Sequence, residues 1–147
     1  MKHQEFLSAL DQPRIVSAIE GAEKRTAGEI RVHVQSKVVG AEIRTVAEKT
    51  FERLGMTKTA ARNGVLLFIA SEDRRFVILG DKGIDEKVPA GFWDEIIAKL
   101  TIRFKNSEFT DGIIEAIGAA GEHLERYFPR QADDVDELSN AIDVSDE

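Results

Sequence analysis

Carboxylates carry most of the chemical potential of this chain. Asp73 falls in a turn between two apolar segments, Asp81, Asp85 and Glu86 follow the second of them, and Glu29 opens a segment of alternating polarity. A hard divalent cation such as Ca2+ or Mg2+ is held by several oxygens, usually carboxylates and backbone carbonyls on loops. Loops at strand ends are also where α/β proteins build their sites. Asp81, Asp85 and Glu86, with the turn carbonyls between them, are therefore the first candidates for metal ligands, and Asp73 and Glu29 follow. Asp73 and Asp81 flank one strand-length stretch. An extended strand of about seven residues separates its ends by roughly 23 Å, so these two are not expected to share one ion. The plainer reading of each acid is a solvated turn residue.

Other chemistries find less support. The three histidines, His3, His33 and His123, show neither metal-ligand spacing nor a Ser-His-Asp order, and His3 is expected in a mobile terminus. Gly80-Asp81-Lys82-Gly83 follows a strand but lacks the glycine spacing of a dinucleotide fingerprint and the lysine-serine pair of a P-loop. Arg74 and Arg75 could each hold a phosphate, but neighbours on a strand point to opposite faces. The chain has no cysteine, which excludes a disulfide framework, a thiolate zinc site and a cysteine nucleophile. The sequence assigns no catalytic residue.

The elements that must position these acids follow from apolar periodicity. Asp11 caps a helix carrying Pro13 in its first turn, with Ile15, Ile19 and Ala22 at helical spacing and an end near Arg25. Glu29 to Gln35 alternates, with Ile30, Val32 and Val34 on one side, which predicts a half-exposed strand. Ile43 to Leu54 reads as a second helix. Val65 to Ala70 is apolar on both faces, the pattern of a central strand, and Arg75 to Leu79 pairs with it across a short turn. Two helices follow, from about Pro89 to Phe104 and from about Asp111 to Phe128; Gly118 and Gly121 in the second suit close packing. The aromatic group Phe92, Trp93, Phe104 and Phe109 is expected in the core. This order predicts an α/β protein, a three-layer αβα sandwich with a small mixed sheet and helices on both faces.

The 147 residues fit one domain, placed at 1–128 and followed by a disordered acidic tail at 129–147. Seven acids against one base between Pro129 and Glu147 give that tail −6 of the net charge of −7. A nearly neutral body argues against binding to nucleic acid or to anionic membranes. The N-terminus lacks the apolar run of a signal peptide, and no segment has the length of a transmembrane span. A cytoplasmic monomer is the expectation.

Taken together, the segments resemble the TPM domain family, named for a thylakoid lumen protein, a photosystem repair protein and a nematode receptor modulator. The resemblance covers roughly Leu10 to Phe128. It rests on the opening helix after A-L-D-Q (Ala9 to Gln12), T-A-G-E-I-R-V (Thr26 to Val32), N-G-V-L-L-F-I-A followed by E-D-R-R (Asn63 to Arg75), the strand leading to Gly80 with G-I-D (Gly83 to Asp85), and F-x-x-G-I (Phe109 to Ile113). It implies an αβα sandwich, divalent-metal binding and, in a plant member, acid phosphatase activity, and it points to Glu29, Asp73 and Asp81. The family's usual G-x-G-L-E turn is one residue longer here and ends in Asp85 rather than Glu. Many members also carry a signal peptide and a C-terminal membrane span, which this sequence does not show, so a thylakoid role does not transfer. The leading expectation is a TPM-like interaction module that binds a divalent cation and an unknown protein partner. The alternative is a weak metal-dependent acid phosphatase acting on phosphomonoesters.

Overall fold

In a computed structural model of the chain, residues 1–131 and 138–145 are described. The element order is α1 (His3–Ala9), α2 (Gln12–Glu23), β1 (Glu29–Gln35), α3 (Ile43–Arg53), a 3-10 turn (Met56–Lys58), β2 (Gly64–Ala70), β3 (Arg75–Gly80), α4 (Lys82–Asp85), α5 (Asp94–Lys105), α6 (Phe109–Glu125) and β4 (Asp143–Val144). The strands form one mixed sheet in the order β3-β2-β1-β4. β1 runs parallel to β2 and β4, and β2 pairs antiparallel with β3.

The alternation of apolar residues assigns the two faces. Ile30, Val32, Val34, Val65, Leu67, Ile69 and Ile78 pack under α1, α2, α5 and α6. Leu66, Phe68, Ala70 and Leu79 form a smaller core with Ala47 and Phe51 of α3 and Met56 of the 3-10 turn. Helices thus cover both faces, giving the αβα sandwich. The capping of α2 is as the sequence predicts, with Asp11 Oδ1 accepting from the Arg14 N–H at 3.2 Å. Helix α6 crosses α2 closely because position 121 has no side chain: a Cβ there would stand 2.8 Å from the Ala22 Cβ. Gly118 meets nothing within 4 Å, so the close approach belongs to Gly121 alone.

Three expectations are corrected. The N-terminus forms α1 rather than a mobile segment: Phe6 and Leu7 pack into the larger core, and His3 is buried, with Nδ1 at 2.8 Å from Ser71 Oγ and Nε2 at 2.8 Å from the Ser145 carbonyl. The strand β1 alternates as predicted but is not half exposed, since Glu29 is 2% and His33 1% exposed. The cause is the third correction. Residues 138–145, expected within a disordered tail, lie against β1: Asp143 pairs with His33, Val144 with Val34, and the Ser145 N–H donates to the Val34 carbonyl at 2.9 Å. The remaining tail positions, 132–137 and 146–147, lie outside the described residues. Among the described residues no helix is long and apolar enough to cross a membrane.

Candidate functional site

Because β1 and β2 are parallel and β3 returns antiparallel, the starts of β1 and β2 and the end of β3 share one edge of the sheet. Glu29 pairs with Gly64 there, and the Asp81 N–H donates to the Gly64 carbonyl at 2.9 Å. The hairpin turn with Asp73 lies at the other end, beside Ser36 and Val38. The five acids named from sequence are therefore divided by the length of the sheet.

Asp81 is held by both a backbone N–H and a side chain. Its Oδ1 accepts from the Lys82 N–H at 2.8 Å and so caps α4. Arg62 grips the same carboxylate with both arms, Nε to Oδ2 at 2.7 Å and Nη2 to Oδ1 at 2.9 Å. A forked pair of this kind is among the stronger hydrogen-bonded arrangements. The hydrogen bond to Asp81 raises the Arg62 pKa above its ordinary value, against the smaller opposing effect of burial. Arg62 reaches this position through a left-handed backbone with φ 51°. Its carbonyl also accepts from the Gly83 N–H at 2.9 Å. That approach requires glycine, since a Cβ at position 83 would lie 2.3 Å from the Ala61 carbonyl oxygen and 2.6 Å from that of Arg62.

Beside this pair opens a cleft of about 230 Å3 between α3 and the β3–α4 junction. Asp81 and Asp85 line one side. Glu48 and Glu52 of α3 line the cleft too, with Arg44 and Lys82 as the cations and Thr57 as the hydroxyl. The sequence did not single out Glu48 and Glu52. They sit four apart, one turn of a helix, and that spacing is the signal that puts both on one face.

The other named acids stand elsewhere. Glu86 is exposed and does not line the cleft. Glu29 is buried, and its Oε1 accepts from the Leu138 N–H at 2.6 Å. Asp73 is exposed, and its Oδ2 accepts from the Val38 N–H at 2.8 Å. Among the described residues no three His, Asp or Glu side chains converge closely enough to enclose a metal ion. The donor set therefore does not suit a fully protein-caged Ca2+, which takes six to eight oxygens.

A second polar group escaped the sequence. His33 Nδ1 lies 2.6 Å from Asp143 Oδ2, and Nε2 lies 2.8 Å from Gln35 Oε1. The Gln35 amide is oriented by its own donation to the Lys37 carbonyl at 2.9 Å. Both ring nitrogens thus face oxygen atoms of neighbouring side chains. Arg53 Nη2 reaches the same Asp143 oxygen at 2.9 Å. Burial alone would push the Asp143 carboxyl up, but hydrogen bonds from Arg53 and His33 overcome it and hold that carboxyl below its ordinary range. This cluster fastens β4 to the sheet. No spacing links residues 33, 53 and 143, so only the fold reveals it.

Known proteins bear on this arrangement in three ways. A family model described as the TPM domain matches residues 1–123. The solution structure of the BA42 protein from the psychrophilic bacterium Bizionia argentinensis is similar, with a TM-score of 0.86 and 42% identity over 91% of this chain and 92% of that one. The N-terminal domain of a P. gingivalis protein gives a TM-score of 0.63 at 21% identity, over 76% of this chain and 72% of that one. That of cg2496 from Corynebacterium glutamicum gives 0.59 at 15%, over 75% and 68%. The last two support the fold alone. No curated protein matches this sequence.

Proposed function

This chain belongs to the TPM domain family, and from that premise we propose that it is a non-catalytic interaction module whose working site is the acidic cleft, loaded with a hydrated divalent cation. The observation that carries this reading is the placement of Asp81, Asp85, Glu48 and Glu52 around one cavity of about 230 Å3. Carboxylates from α3 and from the β3–α4 junction supply the hard oxygens such an ion prefers. Bound there, the ion would offset the acids' repulsion and offer open coordination positions to an oxygen-bearing partner.

Arg62 is the internal competitor. Its guanidinium already neutralises Asp81, which keeps the cleft stable without an ion and weakens the ion's hold. Asp85, exposed at the rim, is the carboxylate more open to an incoming cation.

The hydrolase alternative finds less in this geometry. The cleft lining holds one hydroxyl, Thr57, and no histidine, so hydrolysis there would depend wholly on a metal-activated water. Isothermal titration with MgCl2 and CaCl2, paired with a phosphomonoester assay in each metal, separates the readings. Saturable binding without turnover supports the module. Turnover that disappears in Asp81→Asn would move the protein to the hydrolases, and absence of binding at millimolar metal would remove the cation.

A further inference from the structure

The hairpin end of the sheet, opposite the acidic cleft, carries a second cavity of about 280 Å3. Its wall is aromatic. Phe6 of α1, Phe76 of β3, Phe104 of α5 and Phe109 of α6 meet there edge to face, with Phe6–Phe109 centroids at 5.0 Å, Phe104–Phe109 at 5.3 Å and Phe76–Phe104 at 5.4 Å. The sequence assigns Phe104 and Phe109 to the core. They do pack against it, but they also line a space left unfilled. Interiors pack close to crystal density, whereas this aromatic-lined recess opens to the surface beside Met1, Ser71 and Thr101.

Two cations, Arg74 and Lys105, stand at the mouth, both exposed. Neither side chain forms an ion pair among the described residues. The acids nearest Arg74 in sequence are turned to other tasks: a Glu72 oxygen accepts from the His3 N–H at 3.1 Å, and an Asp73 oxygen accepts from the Val38 N–H at 2.8 Å. Arg74 itself is held in a left-handed backbone with φ 52°, a strained state for a residue with a side chain.

An apolar chamber with positive charge at its entrance has the polarity of an anionic amphiphile. We propose that this cavity binds a small carboxylate with an apolar body, seated among the phenylalanines with its head between Arg74 and Lys105. The volume lies just under the roughly 300–1,000 Å3 of small-molecule pockets, which limits the occupant to a body of about seven to ten carbons. The site is independent of the acidic cleft and of any metal ion.

Titration of the full chain with octanoate, followed by amide and aromatic resonances, tests the assignment. The expected result is a saturable response centred on Ser71, Arg74, Phe76 and Phe104, with no comparable binding of 1-octanol or octyltrimethylammonium. The surface double variant Arg74→Glu/Lys105→Glu should weaken octanoate about tenfold or more, and Thr101→Trp, which fills the cavity, should abolish binding. Octanol binding as tightly as octanoate, a double variant of unchanged affinity, or no saturable shifts at millimolar octanoate would each overturn the proposal.

Discussion

Replacing Asp143 by asparagine should detach much of what holds β4 in place. The substitution keeps the shape and one acceptor but removes the charge that His33 and Arg53 share. A hydrogen bond to a charged group contributes about 1.5–3 kcal/mol. The Arg53 share is discounted, because that side chain is 56% exposed, whereas His33 is 1% exposed and its share is kept. The net cost is then about 2 kcal/mol at neutral pH, which for a domain of this size lowers Tm by about 4–8 °C. The pH dependence has a definite sign. The folded carboxyl titrates below its unfolded value, so its contribution is fully present above the ordinary carboxylate range and is lost as pH falls through the depressed folded value. Wild type and variant should therefore differ in urea midpoint at pH 7 and converge once pH has fallen below the depressed folded value. Hydrogen exchange of the Ser145 N–H, which donates to Val34, gives the local readout and should accelerate in the variant. Equal midpoints at pH 7, or a gap that persists unchanged at low pH, would refute the reasoning.

Three further outcomes follow from the cleft. Arg62→Ala should lower the thermal midpoint and tighten Mg2+ binding at once, since the same guanidinium both neutralises Asp81 and competes with the ion; calorimetry on both axes checks it. Asp81→Ala should cost about 2 kcal/mol through the lost α4 cap and the abandoned arginine, measured by urea denaturation. Gly83→Ala should cost about 2–3 kcal/mol, because the added Cβ meets two backbone oxygens that cannot move as a flexible side chain would.

Local pattern carried the sequence reading as far as local pattern decides structure. The run VLLFIA, apolar on both faces, is the strand β2, covered by helices on each side, and the short SEDR turn leads to β3 as an antiparallel partner. Helix α3 and the Asp11 cap were legible for the same reason. What failed depended on distant partners. The polar side of β1 looked wet because nothing near residues 29–35 announces that a segment over 100 residues later will cover it. His3 looked mobile because α1 has no capping side chain, and its packing comes from Phe6 and Leu7 reaching the larger core. Asp73 and Asp81 stand beyond opposite ends of β3, as the rise of a single strand requires. Arg62, Glu48 and Glu52 were invisible as site residues because they approach Asp81 only through a left-handed turn and a helix packed from the far side of the sheet.

The account stands most directly on the cation. Amide shifts of the 15N-labelled chain under MgCl2 and CaCl2 would decide it. Saturable, localised changes at Glu48, Glu52 and residues 81–85, absent from the Asp73 turn and lost in Asp81→Asn with Asp85→Asn, are the result the account predicts. A flat titration to millimolar ion, or shifts gathered at Asp73 and Val38 instead, would contradict it.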